Sequence, residues 1–455
     1  MATRKADAII IGSGQAGVPL ALKWDRTGKK VILFEKGALG GSCVNYGCTP
    51  SKAFLAAAHR AQSVRSAREL GVYADVRVEF AEVMKRVRDV RAEWNEGVGR
   101  NFKNSGIELI EGVARFAGER RVEAQTAAGT ETAEAPLIVI DTGSAPRIPA
   151  IPGLEGTPFL TNMNFFDLRE QPRCLIVLGG GYVGLELGQG MSRLGSEVHI
   201  LERGDCLLHK EDARVSECFV HAFENEGIKV HLEVEVSEVQ YDGAAFHLKL
   251  VGGTRLEGDA LLVAVGRRPN SAALQCARSG IELTDEGFIQ VDERLRTTCK
   301  GVFAAGEVAG QPPFTHAAWE DHLRILDTLE GGKRTRADRA LGYCTFTEPQ
   351  MGRAGLSMKQ AQAAGYRARC VGKPIREIAR AAEWCHHEGF FEMVIDEESD
   401  RILGATLVGH EAGELVHLFL GLIECKATWR VLADMVAIHP TYGEGLRSMA
   451  RQLAD

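Results

Sequence analysis

No second C-x2-4-C pair accompanies the cysteines at positions 43 and 48, so the four-ligand pattern of a structural zinc site is missing. A basic excess is missing too. Lys and Arg number 54 against 61 Asp and Glu, a net charge of −7 with pI ≈ 6.1, which removes the concentrated positive face that nucleic-acid recognition requires. No low-complexity or membrane-spanning apolar segment interrupts the chain. Met1 to Asp7 passes from a short basic stretch into a strand without the apolar core and cleavage site of a secretory leader. The 11 cysteines are odd in number and scattered, which disfavours an extracellular disulfide scaffold. The expected compartment is therefore the cytoplasm, and the expected partners are small molecules, with neither nucleic acid nor membrane. What is present is ordinary for a globular protein: 45% hydrophobic and 25% charged residues in a chain of 455, long enough for about three domains.

Ala8-Ile9-Ile10-Ile11 is a continuous apolar run, the pattern of a strand buried on both faces of a parallel sheet. It opens into Gly12-Ser13-Gly14-Gln15-Ala16-Gly17, a helical segment to about Lys23, and a second strand, Val31 to Glu35, that ends in an acid. Glu35 lies 18 positions after Gly17, close to the spacing of a ribose-binding carboxylate in a dinucleotide site. The same order recurs: Cys174 to Leu178, then Gly179-Gly180-Gly181-Tyr182-Val183-Gly184, then Val198 to Glu202. Two dinucleotide sites are expected, each placing a pyrophosphate at a helix N-terminus where free N–H groups and the helix dipole favour anions. The alternative for each copy alone is a tight strand-to-helix turn without a ligand.

Between the loops lies Gly41-Ser42-Cys43-Val44-Asn45-Tyr46-Gly47-Cys48-Thr49-Pro50-Ser51-Lys52. Positions five apart on a regular helix are separated by roughly 8.7 Å at Cα, and a disulfide needs less than about 7 Å. The segment therefore cannot be a regular helix if the two cysteines bond. Gly40, Gly41 and Gly47 supply the freedom for a distorted entry. A dithiol redox pair is favoured over a zinc half-site or two buried thiols.

Residues 60 to 100 carry helical periodicity with a charged, solvated face. Thr142-Gly143-Ser144-Ala145-Pro146 marks a turn after the strand Leu137 to Ile140, and residues 147 to 158 are expected to be a crossover linker. Val263 to Asn270 closes the inserted unit, Val302 to Glu307 is another buried strand ending in glycine and an acid, and the texture changes again from about 336. Trp384-Cys385-His386-His387 resembles a metal motif only superficially, because adjacent residues point in different directions. No metal site is expected.

Taken together, GSCVNYGCTPSK, two glycine loops, TGSAP, AVGRRPN, the AAGE turn and the terminal His439-Pro440-Thr441-Tyr442-Gly443-Glu444 resemble the class I pyridine nucleotide-disulfide oxidoreductases, the family of glutathione reductase, lipoamide dehydrogenase and mercuric reductase. The resemblance spans the whole chain. It implies an α/β fold with two Rossmann-like dinucleotide-binding domains, the NAD domain inserted in the FAD domain, and a C-terminal α+β dimerisation domain. The implied division is 1–150 and 271–335 for FAD, 151–270 for NAD(P) and 336–455 for the interface.

By that resemblance Gly12, Gly14, Gly17 and Glu35 hold the ADP half of FAD, and Ser42, Lys52, Ala114, Gly143, Ser144, Gly306 and Glu307 approach the rest of it. Gly179, Gly181, Tyr182, Gly184, Glu202, Val236 and Gly266 would bind the nicotinamide dinucleotide, with NAD(H) expected over NADP(H). Hydride would pass from NAD(P)H to the flavin and on to a Cys43–Cys48 disulfide. Cys48 would be the thiolate beside the ring and Cys43 the interchange thiol. Lys52 and Glu186 would form an ion pair near the flavin, Tyr182 would gate the nicotinamide pocket, and His439, oriented by Glu444, would be the acid/base of a homodimer's shared site. Glu307 departs from the family's usual Asp by one methylene. The acceptor is a small-molecule disulfide or another oxidant; a metal-ion or quinone reductase and a flavoprotein subunit of a larger complex are the alternatives. The chain closes at Arg451 to Asp455 without a cysteine pair, which argues against efficient mercuric reduction.

Overall fold

The computed structural model describes residues 3–454, so Met1, Ala2 and Asp455 lie outside the described residues. The first glycine loop belongs to a five-stranded, wholly parallel sheet in the order Val302–Ala304, Leu137–Ile140, Ala8–Ile11, Val31–Glu35, Glu108–Glu111. All four residues of the central strand Ala8–Ile11 are buried, which is why its sequence is an unbroken apolar run. The sheet is assembled from distant parts of the chain.

The second loop rises from a four-stranded parallel sheet ordered Lys229–His231, Glu197–Leu201, Cys174–Leu178, Ala260–Val263. An antiparallel three-stranded sheet, Val236–Tyr241, Phe246–Leu250 and Arg255–Gly258, shares a core with it through Ile176, Leu178, Leu248 and Leu261. In both loops the first glycine is obligatory. Gly12 has φ +101°, and a Cβ there would stand 2.3 Å from the Asp141 carbonyl oxygen; Gly179 has φ +110°, and its Cβ would stand 2.5 Å from that of Ala264.

The C-terminal part is an antiparallel sheet ordered Gly342–Thr345, Gln350–Gly355, Ile402–Gly409, Phe390–Asp396, Ala368–Pro374. Helices Ala412–Glu424 and Tyr442–Arg451 pack with it through Phe419, Leu446 and Met449.

Residues 60 to 100 are not one helix. A helix Cys48–Ser66 runs into a short turn Ala67–Leu70, Gly71 ends it at φ +80°, residues 72–79 form neither helix nor strand, and a second helix spans Phe80–Lys103. Val72, Val76 and Val78, stiff at χ1, disfavour a continued helix. Among the described residues no helix is long and apolar enough to cross a membrane.

Candidate active site

The two cysteines sit on two different helices. Gly41–Tyr46 forms one short helix, Gly47 departs from helical geometry at φ −134°, ψ −117°, and Cys48 begins the next. The regular helix that the spacing excluded is thus absent. Both are free thiols here. Cys48 Sγ lies 3.0 Å from Thr315 Oγ1, at the start of the helix Thr315–Leu329.

The two sulfurs are electrostatically unequal. The Cys48 thiol is drawn down to about 6, first by the hydrogen bond from Cys43 and then, against the cost of burial, by Thr315 and the Lys52 charge. Cys43 moves far up, because it donates to Cys48, is partly shielded from water in the cleft wall, and faces the charge on that sulfur. One proton shared by the pair therefore resides on Cys43.

Lys52 lies four residues after Cys48 on the same helix, so both project from one face. Its Nζ is 2.8 Å from Glu186 Oε2 and 4.3 Å from the centre of the Phe346 ring. The other Glu186 oxygen accepts the Phe346 N–H at 3.0 Å. Glu186 sits on the helix Tyr182–Leu194 that opens from the second glycine loop, so this ion pair ties the dithiol helix to that loop.

One cleft of ≈ 2660 Å³ joins these groups. It is lined by Gly12, Gly14, Glu35, Ser42, Cys43, Cys48, Lys52, Ala114, Gly143, Ser144 and Glu307, and also by Gly179, Gly181, Tyr182, Glu186, Glu202, Val236 and Gly266. Five expected site residues stand apart from it. Gly17, Gly184 and Gly306 are packed beneath the loops, while His439 and Glu444 lie away from the cleft altogether. A single small ligand needs about 300–1,000 Å³. The space therefore suits two dinucleotides. Gly143, Gly181 and Gly266 have no atom within 4 Å of where a Cβ would stand, so a side chain at any of them would project into the open cleft. FAD and the nicotinamide dinucleotide fit these residues.

Each strand-end acid is already tied to its own loop. Glu35 accepts from the Ser13 N–H at 2.8 Å, the Ser13 hydroxyl at 2.6 Å and the Gly37 N–H at 2.9 Å. Glu202 accepts from the Gly180 N–H at 2.7 Å and the Gly204 N–H at 2.8 Å. The Tyr182 hydroxyl donates to Glu211 at 3.3 Å, and its ring meets Phe314 edge-on at 5.8 Å.

Of the further groups here, Asp141 carried no recognisable sequence signal and Arg267 only that of the AVGRRPN stretch it belongs to. Asp141, wholly buried under the first loop, accepts the N–H groups of Gly17 at 2.6 Å and Ala16 at 3.1 Å, and burial pushes its carboxyl up to about 8. Arg267 places Nε 2.6 Å from Ser144 Oγ and 2.8 Å from Glu307 Oε2, and Ser144 also donates to Glu307. The longer Glu307 side chain is thus held by Arg267 and Ser144.

His439 Nδ1 is 2.8 Å from Glu444 Oε2, with the imidazole 67% exposed. The neighbouring Val436 and Ile438 are 97% and 77% exposed, and Val431 is exposed as well. In the Trp384–His387 segment His386 pairs with the Tyr442 hydroxyl and packs against His410.

Residues 6–321 match the family described as pyridine nucleotide-disulphide oxidoreductase, and residues 342–450 match its dimerisation domain. The chain belongs to this family of FAD-dependent NAD(P)H:disulfide oxidoreductases. It is 32% identical over 454 residues to a dihydrolipoyl dehydrogenase of Haloferax volcanii, covering 98% of this chain and 95% of that protein. A mercuric reductase of Shigella flexneri is 35% identical over 454 residues, 97% of this chain and 80% of the other. Among solved structures, a Cu(II) complex of the HOCl-induced flavoprotein disulfide reductase RclA from Escherichia coli superposes with a TM-score of 0.90 at 28% identity, covering 99% of this chain and 100% of that one. The protein is an oxidoreductase that uses FAD and a pyridine nucleotide, with a domain of the kind through which its family dimerises.

Proposed function

We propose that the chain reduces a small-molecule disulfide, or another two-electron oxidant, through Cys43 and Cys48 at a site completed by a second copy of the chain. The observation that carries this is the unequal dithiol beside Lys52 and Thr315, midway along a cleft that runs from one glycine loop to the other. FAD, when bound, relays two electrons from the nicotinamide to the disulfide. The chain supplies everything around that transfer. The first loop with Asp141 would hold the diphosphate, Arg267 with Glu307 and Ser144 would border the cofactor, and Tyr182 with Phe314 would close the nicotinamide end.

In the reduced pair Cys48 holds the negative charge and Cys43 the proton. The interchange thiol therefore needs a base before it can attack, since the thiolate is the nucleophile. His439, held by Glu444, is suited to remove that proton. Cys43 then forms a mixed disulfide with the substrate, and His439 returns the proton to the departing thiolate. Attack of Cys48 on Cys43 releases the second substrate thiol and restores the intramolecular disulfide.

The division 1–150 and 271–335 for FAD, 151–270 for the nicotinamide and 336–455 for the interface is supported by the membership of the three main sheets. Glu202 at the end of its strand favours a ribose 2′-hydroxyl and repels a 2′-phosphate, so kcat/KM should be at least about 10-fold higher with NADH than with NADPH. A second reading, reduction of a soft metal ion at the same dithiol, is favoured by the mercuric reductases among the relatives and by the Cu(II) complex of the neighbouring structure. Stopped-flow mixing of the NADH-reduced enzyme with disulfides, quinones, Cu(II) and Hg(II) tests both. The oxidant that reoxidises the enzyme at the rate of turnover is the acceptor, and failure of every disulfide and every quinone to do so overturns the first reading.

A further inference from the structure

Outside the cleft, ligand-type side chains of three kinds converge on the second parallel sheet. Cys174 and Glu197 are directly opposite on neighbouring strands, and His199, two residues beyond Glu197, shares its face. Cys174 Sγ, a Glu197 carboxylate oxygen and a His199 ring nitrogen all lie within 4.8 Å of one another. His199 Nε2 is 3.1 Å from Glu197 Oε1. We propose that Cys174, Glu197 and His199 form a binding site for a divalent cation of the zinc class.

The geometry and the donor set agree. Bond lengths of about 2.0–2.3 Å to nitrogen, oxygen and sulfur place tetrahedral ligand atoms roughly 3.3–3.8 Å apart, within small rotations of the observed spacing. Thiolate, imidazole and carboxylate together suit zinc better than calcium or magnesium, which take oxygen ligands. Three protein ligands leave a fourth position for water.

The surroundings also fit. His199 Nδ1 is 3.1 Å from His231 Nε2, and the two rings stack at 5.3 Å. With a cation on His199 Nε2, Nδ1 carries the proton and donates to His231, the outer contact that fixes a ligating imidazole. On binding, the Cys174 S–H bond breaks, the sulfur becomes a metal thiolate, and its proton leaves to solvent. Lys229, which now pairs with Glu197, has a 55% exposed side chain and is free to withdraw.

Cys174 and Glu197 begin their strands at the end away from Gly179 and Glu202, His199 stands three residues before Glu202, and none of the three lines the nucleotide cleft. Its effect is to clamp two strands, without contact with the nucleotide cleft.

The test uses the FAD-loaded protein with Cys43→Ser and Cys48→Ser, so that the dithiol does not capture metal. After exposure to Zn(II) and desalting, elemental analysis should find about one zinc per subunit, and the melting temperature should rise by a few degrees. Adding Cys174→Ser or His199→Asn should each reduce retained zinc by at least about 10-fold. Zn(II) should also slow iodoacetamide labelling of Cys174 by at least about 10-fold, read by peptide mass spectrometry, which needs no further variant. No retained zinc, retention unaffected by both substitutions, or unprotected Cys174 overturns the proposal.

Discussion

Asp141 shows what a single buried carboxyl does to the first loop. It occupies the space beneath Gly14 and Gly17, and a neutral acid there satisfies two N–H groups without repelling a diphosphate above it. Its folded-state pKa, pushed up mainly by burial to about 8, exceeds the unfolded value. Stability from this group is therefore complete below the ordinary carboxylate range and is lost as pH rises through about 8. Asp141→Asn keeps the acceptor and removes the titration. Its melting temperature relative to wild type should climb by a few degrees between about pH 4 and 8, and a pH-independent difference would refute the assignment. Thr315 acts on Cys48 in a comparable way. Thr315→Val removes the hydroxyl near the thiolate, so the apparent pKa for alkylation of reduced Cys48 should rise above about 6. An unchanged profile of alkylation rate against pH would show that the hydroxyl has no such role.

The helices Cys48–Ser66 and Tyr182–Leu194 act as one unit, because Gly190 lets them touch. A Cβ at Gly190 would stand 2.4 Å from the Phe54 ring, which is fully buried. Gly190→Ala must push the helices apart, at a cost of about 1–3 kcal/mol for overpacking. Lys52 and Glu186 lie on these same two helices, so the substitution should lower disulfide-reductase kcat together with stability, measured by turnover and denaturant titration. Loss of neither would mean that the interface relaxes elsewhere. These contacts also mark the limit of what the sequence showed. The two strand–loop–helix units and the break at Gly47 were legible because glycine spacing and apolar runs are local signals. Thr315 and Asp141 were not, nor was what Arg267 of the AVGRRPN stretch would meet, since each reaches the site across more than 100 residues of chain. The irregular stretch 72–79 was missed because charge periodicity hid a valine-rich interruption.

At the scale of the molecule the unsolved distance is between the dithiol and its base. Cys43 and Cys48 line the cleft, whereas His439 and Glu444 do not, and the histidine is mostly exposed on a segment whose apolar side chains Val436 and Ile438 face solvent in the single chain. A lone subunit therefore presents a nucleophile without a base, and a base beside an uncovered apolar surface. A two-fold dimer removes both deficits at once, because an isologous contact brings the same patch of each copy to the other and creates two equivalent sites. The protein should accordingly be an obligate homodimer with each active site drawn from both chains. Cys43→Ser and His439→Ala homodimers should each lose disulfide reduction by about 100-fold or more. Co-refolded mixtures should regain activity, since the heterodimer contains one site with both native groups and one with neither. With differential tags verifying the heterodimer, recovered turnover measures the shared site directly; no recovery would place His439 on its own subunit's chemistry or outside catalysis.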